Sequence, residues 1–257
     1  MVTLNDTEIR TEFEAGRLIK NANPGGATGA CYELRMGSIY YDLTENGARF
    51  DLGEGEKILI KPGHQVVLIT LEDLDIPVNV LVRIVSKGSL FSIGLSPVAT
   101  YADPGFKGHI GIVTQNMSDK YIELPQGEPI AKADFTRLSA AASTPYHGQH
   151  GFQAKIWPIK SYLQKSHKDV KNDKRVGTER NEALALLPDA TRTIIRRLEN
   201  TQAWINVGLV FAIFINAVAL FALEKQWMDA LSAIAINLGS SAILGIGALI
   251  TAYIRRI

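Results

Sequence analysis

Four segments in the middle of the chain decide the reading: Ser86-Lys87-Gly88-Ser89-Leu90, Ile93-Gly94-Leu95, Ala102-Asp103-Pro104-Gly105-Phe106-Lys107-Gly108-His109-Ile110-Gly111-Ile112, and Pro125-Gln126-Gly127-Glu128-Pro129-Ile130-Ala131. Short apolar runs alternate with polar turns built on Gly and Pro, the pattern of a compact all-β core. Two of these turns place hydroxyl, basic and acidic side chains beside glycines, where backbone can approach a small ligand closely. Asp103 is the carboxylate in this stretch with the strongest claim to chemistry.

Outward from this stretch, residues 65–71 and 78–85 are apolar almost throughout and read as buried strands. Residues 57–60 lead into the turn Lys61-Pro62-Gly63, and residues 30–41 read as a strand with an aromatic edge. Further strands are expected at 97–100, 108–114, 121–124 and 130–138. Spacings of roughly ten residues, with Pro-Gly turns between, suggest a β-barrel or a double sheet of jelly-roll type. A short helix is expected from Thr7 to about Lys20, capped by Asn5 or Asp6, with Ile9, Phe13 and Leu18 on one face.

The 257 residues allow one large or two small domains. A net charge of +1 gives no field that argues for nucleic acid as a partner. The single cysteine, Cys31, rules out a disulfide framework and fits a reducing compartment. It also rules out the zinc deaminase signature, which needs a Pro-Cys-x-x-Cys pair. The N-terminal residues lack the charged-then-apolar pattern of a signal peptide. His64, His109, His147, His150 and His167 show no metal-ligand spacing with carboxylates or the cysteine, so no metal-binding residue is expected.

In chain order stand Glu8-Ile9, Gly16-Arg17-Leu18-Ile19, Cys31-Tyr32-Glu33-Leu34-Arg35-Met36-Gly37, Lys61-Pro62-Gly63 with Thr70-Leu71-Glu72, Lys87-Gly88-Ser89-Leu90, Ala102-Asp103-Pro104-Gly105-Phe106-Lys107-Gly108 and Pro125-Gln126-Gly127. Together they resemble the dCTP deaminase branch of the dUTPase-like superfamily over about residues 1–157. The tail Tyr146-His147-Gly148-Gln149-His150-Gly151 resembles the segment that closes over the nucleotide in that family.

The resemblance implies a mainly β fold with a distorted barrel head. It implies a homotrimer with sites at subunit interfaces, and a deoxynucleoside triphosphate bound with Mg²⁺ and without zinc. It puts Lys87, Gly88, Ser89, Ala99, Asp103, Phe106, Tyr146 and Gln149 at the nucleotide, with Asp103 as the catalytic candidate. Phe106 stands where an aromatic packs against the deoxyribose. In that family a strand glutamate activates water for deamination, helped by an arginine and a serine of an Arg-Ser-Ser-Leu-x-Arg turn. The corresponding turn reads Lys87-Gly88-Ser89-Leu90-Phe91-Ser92, and the glutamate position, counted from Asp103, is Val113. Valine cannot take a proton from water, so general-base help of about 10²–10⁴-fold has no evident source. Pro145 falls where the family often has a lysine. The dUTPase branch keeps the aspartate and has an apolar residue at the glutamate position, so a pyrophosphatase using Asp103 stays open. Gly151-Phe152 faintly resembles the Gly-Phe of that branch's closing arm.

Residues 158–202 read as a charged linker and juxtamembrane helix, with seven Lys/Arg against three Asp/Glu between 160 and 180 and a helix break at Pro188. Residues 203–223 carry no charge, and at ~1.5 Å per residue they span roughly 31 Å, enough for a bilayer core. A second uncharged run covers 230–254. Two transmembrane helices are therefore expected, forming a hairpin over 203–257 with Trp204, Trp227 and Tyr253 near the interfaces. Arg196-Arg197 and Arg255-Arg256 place both chain ends and the head in the cytoplasm by the positive-inside rule. Asn206, Asn216 and Asn237 are expected to bond between helices, and Ser241 with Gly245 to allow close packing. In a trimer, six helices would meet below the head.

The reading is a membrane-anchored deoxynucleotide-binding protein, a sensor or effector with weak or no deamination. The alternatives are an active dCTP deaminase, a dUTPase-like pyrophosphatase and a non-catalytic membrane scaffold.

Overall fold

The computed structural model describes residues 1–148, 152 and 155–254, with backbone alone at 243, 244 and 246–254. Two compact units divide the chain, residues 1–161 and 162–257. The first opens with β1 (Val2–Thr3), α1 (Asp6–Glu14), β2 (Leu18–Lys20), β3 (Ala27–Thr28) and β4 (Cys31–Asp42). It continues through β5 (Ala48–Asp51), β6 (Lys57–Ile60), β7 (Gln65–Asp75), β8 (Val80–Ser86) and α2 (Gly88–Ser92). It closes with β9 (Ala99–Ala102), β10 (Lys107–Gln115), β11 (Ile122–Pro125) and β12 (Pro129–Arg137).

The main sheet runs β10-β7-β4-β12-β8-β9, with β1, β2, β3 and β5 paired at its sides; β6 and β11 form a separate pair. The long strand β4 makes the sheet curl. Its first half pairs with β12 and its second half with β7 and β5. The register slips between Met36 and Tyr40, a bulge that bends the strand. At the bend, a Cβ on Gly37 would lie 2.9 Å from the Ile69 carbonyl oxygen, so only glycine fits. Inside the curl, Tyr32, Leu34, Met36, Ile58, Leu68, Leu74, Val82, Ile84, Ile112 and Phe135 form one continuous core. Each of these large side chains, fully buried, is worth about 1.5–3 kcal/mol.

The helix α1 has a reciprocal cap, Asn5 Oδ1 accepting from Glu8 N–H and Glu8 Oε2 from Asn5 N–H, both at 2.9 Å. It stops at Glu14, short of the expected Lys20. Gly16 (φ 75°) and Leu18 (φ 66°) turn the chain left-handed, and residues 18–20 pair with β7 instead. A buried carboxylate ties the sheet together where β4 meets β7. Glu72 is fully buried and accepts from Arg35 N–H (2.7 Å), Arg35 Nε (2.6 Å) and Tyr32 OH (3.3 Å). Burial pushes the Tyr32 phenol up to about 12.

The second unit holds α3 (His167–Val170), α4 (Glu179–Ala185), α5 (Asp189–Glu224) and α6 (Ala230–Ile254). Pro188 sits just before α5, and Arg192 donates back to the carbonyls of Leu184, Ala185 and Leu187, capping α4. Among the described residues one helix, α5, is long and apolar enough to cross a membrane, and 11% of its apolar window is buried. The α5–α6 contact is small-residue packing, with Ala212, Ala219 and Ala233 buried, while Phe211, Phe214, Leu220 and Leu238 face outward. The expected interhelical bonding holds for Asn216, whose Oδ1 accepts from Ser240 Oγ at 2.9 Å. It does not hold for Asn206, which accepts from Gln202 one turn earlier on its own helix, and Asn237 gives its carbonyl to Ser240 within α6. Arg255 and Arg256 lie outside the described residues.

Candidate functional site

Period-two alternation sorts β4, β12, β8 and β9 into a core face and an outer face. Directly paired residues share a face, so the register gives the outer face in rows. One row reads Glu33, Lys132, Val85, Ala99; the next reads Asp134, Arg83, Tyr101; Thr136 and Leu81 follow, and Asp103 comes just after β9 ends. Arg83 Nε donates to Asp134 Oδ1 at 3.0 Å across the second row.

Asp103 and Phe106 close the turn that follows β9. The Phe106 N–H donates to the Asp103 carbonyl at 2.9 Å, and Gly105 has φ 90°, as the third position of such a turn demands. The Asp103 carboxylate is exposed and makes no hydrogen bond or ion pair among the described residues. It therefore does not act as a turn-former bonded to its own backbone. Phe106 is buried in the main core, with its ring 5.6 Å from that of Tyr146. In this arrangement it meets Tyr146 and the core rather than an open sugar pocket. Tyr146 N–H donates to the Pro104 carbonyl at 2.8 Å, and Pro145 packs on Gly105. Gln149, His150 and Gly151 lie outside the described residues.

Lys87 precedes α2, and its Nζ lies 3.0 Å from Glu33 Oε1. Ser89 is exposed, and Ser92 Oγ donates to the Ser89 carbonyl at 2.6 Å. Gly88 has open space where a Cβ would stand, so the loss of a serine there has no steric cause. Ala99 lies at this end, level with Val85. Asp103 comes one residue past the Val82–Ala102 pair at the other end, and Lys87 one residue past the end of β8 at Ser86. At ~3.3 Å per strand residue, the two ends are about 20 Å apart. The structure thus gathers Lys87, Gly88, Ser89 and Ala99 in one place, and Asp103, Phe106 and Tyr146 in another.

Val113 lies on the opposite outer face, that of β4, β7 and β10, and not beside Asp103. With Tyr41, Val67, Ile69 and Phe152 it joins a second apolar cluster, covered by Trp157 and Ile159. Phe152, Lys155, Trp157 and Ile159 are held down on this face. A Cβ on Gly111 would fall 2.3 Å from the Trp157 ring, Trp157 N–H donates to Tyr41 Oη at 3.2 Å, and Arg49 Nη1 donates to the Lys155 carbonyl at 2.5 Å.

Sequence reasoning did not single out Glu33, Lys132, Arg83 or Tyr101 as site neighbours, though the alternation around each carried the signal. It also missed that Asp42, Glu45 and His64 converge, their donor atoms within 4.8 Å. These groups satisfy one another. His64 Nδ1 lies 2.7 Å from Asp42 Oδ2, Asp42 Oδ1 accepts from Thr44 and Glu45 N–H, and Lys61 pairs with Glu45. The added lysine charge makes this a poor nest for a cation.

The family model described as dCTP deaminase-like matches residues 3–138, all within the first unit. A "dCTP deaminase, dUMP-forming" of Rhodococcus opacus is 32% identical over 186 residues, 62% of this chain and 96% of its own length. A dCTP deaminase of Thermococcus kodakarensis is 30% identical over 147 residues, 57% of this chain and 90% of its own. Among solved structures, the 2′-deoxycytidine 5′-triphosphate deaminase of Agrobacterium tumefaciens aligns at TM-score 0.44 and 16% identity, covering 52% of this chain and 47% of that one. The curled sheet, the Asp103 turn and the family match together place the chain in the dCTP deaminase-like family.

Proposed function

We propose that the head binds a deoxynucleoside triphosphate at a site completed by a second copy of the chain, and that it deaminates weakly or not at all. The observation that carries this is the split of the site. The open carboxylate Asp103 and the basic turn Lys87–Ser89 share one outer face but lie about 20 Å apart, further than one set of phosphates and sugar can bridge comfortably. A neighbouring copy brings the opposite end within reach, and the family resemblance favours three copies. Lys87 and Ser89 then hold phosphate, Lys87 as a point charge rather than a bidentate fork. Asp103 reads the sugar.

Mg²⁺ arrives with the triphosphate and neutralises its charge. Deamination lacks its base, because Val113 sits under an apolar strap. A second reading, a pyrophosphatase, is favoured by the unpartnered Asp103 carboxylate, which is free to orient a water. On this proposal α5 and α6 are two membrane spans with both ends and the head in the cytoplasm, and nucleotide in the head is a signal passed to them.

The test uses full-length chain in detergent and calorimetric titration with dCTP or dUTP and Mg²⁺. Lys87→Ala and Asp103→Asn each abolish binding when alone. Coexpressed in equal amounts they restore about a quarter of the sites, since each intact half pairs by chance with the other. Mixed assemblies that bind no better than either variant would refute the shared site.

A further inference from the structure

On the outer face of β9, two residues after Ala99 and two before Asp103 of the following turn, stands Tyr101. Alternation puts it two residues, about 7 Å, from each. Its side chain is 57% exposed. It has no aromatic partner and no hydrogen bond among the described residues. The strand order ends at β9, so among the described residues no further strand pairs beyond it. On its near side, in direct register, is Arg83, and the 3.0 Å bond to Asp134 holds that guanidinium over the sheet. An aromatic ring beside a fixed guanidinium offers a flat, cationic-edged surface, the kind on which nucleobases stack.

Other exposed aromatics of the head lack this setting. Phe91 and Tyr121 flank a groove with no carboxylate from the candidate site, and Trp157 is taken up by the strap. Only Tyr101 lies between two residues of the nucleotide set.

We infer that Tyr101 is the base platform of the site, stacking on the nucleobase of the deoxynucleotide whose sugar is read at Asp103. The inference rests on the nucleotide reading above and adds to it the element that meets the base. Because stacking tolerates any π-face, Tyr101 supplies affinity for the base rather than a choice among bases. Asp134 acts only through Arg83, as a positioning residue.

The test compares wild type, Tyr101→Ala and Tyr101→Phe in full-length protein, titrated with dCTP and with inorganic tripolyphosphate, each with Mg²⁺. Tyr101→Ala weakens dCTP binding by about 5- to 150-fold and leaves tripolyphosphate within twofold of wild type. Tyr101→Phe keeps the wild-type affinity for both, because the ring and not the hydroxyl does the stacking. Wild-type dCTP affinity in Tyr101→Ala overturns the inference while leaving the nucleotide reading intact. An equal loss for dCTP and tripolyphosphate also overturns it, since the ring then supports assembly. Wild-type protein that binds tripolyphosphate but gains nothing from dCTP overturns the nucleotide reading and the platform with it.

Discussion

On one outer face of the curled sheet, His109, Gly111 and Val113 lie beneath Phe152, Trp157 and Ile159. On the other, Glu33, Lys132, Arg83, Tyr101 and Asp103 stand half-buried or open. Both faces descend from β4, and both are built of strands with the same alternation. The difference arises from the path of the chain after β12. Phe152, Trp157 and Ile159 cover one face with apolar side chains, and among the described residues the other is charged. An apolar residue at position 113 is then consistent with its surroundings, because a carboxylate there would be buried against Tyr41, Val67 and Trp157 without a partner. Polar chemistry survives where the strap does not reach.

The contrast between the faces depends most on the junction that joins them. Glu72→Ala leaves the buried end of Arg35 without its carboxylate, and the expected loss is about 3–5 kcal/mol in urea unfolding. A loss below about 1 kcal/mol would mean the faces are not joined through this network.

Alkaline titration probes the same junction with a smaller effect. The Tyr32 phenol is raised to about 12 in the fold against an ordinary value of 10. The folded state therefore holds its proton more tightly. The stability this gives is fully present below pH 10 and is lost as pH rises through 12. The expected fall is on the order of 2–3 kcal/mol. Unfolding midpoints measured between about pH 9 and 12 should show it, and Tyr32→Phe should flatten it.

The strap itself is tested by Gly111→Val. The new side chain claims the space of the Trp157 ring, at a cost of about 1–3 kcal/mol. Limited proteolysis should then cut between residues 152 and 161, while dCTP affinity on the open face stays within twofold. Loss of dCTP binding would show that the two faces are coupled.

Much of the head was legible in the residues. Strands β7 to β12 fall within four residues of their expected places, because Pro-Gly turns and unbroken apolar runs mark them locally. The helix α1 was overextended, because the left-handed turn at Leu18 is not written in a residue type that favours it. Asp103 and Ser89 are exposed, and Lys87 is half-buried against Glu33. Their separation was invisible, since it follows from the β8–β9 register and not from spacing along the chain. Phe106 is buried beside Tyr146, and that burial depends on where the tail packs Tyr146. The strap over Val113 was invisible for the same reason: Trp157 reaches β10 only through the folded path.

The proposed nucleotide site without deamination makes a simple demand on the products. Full-length protein is incubated with dCTP and Mg²⁺, and the nucleotides are separated by chromatography. The expected result is dCTP bound and recovered without uracil nucleotide, with any dCMP and pyrophosphate abolished by Asp103→Asn. Steady accumulation of dUTP or dUMP from dCTP would overturn the assignment.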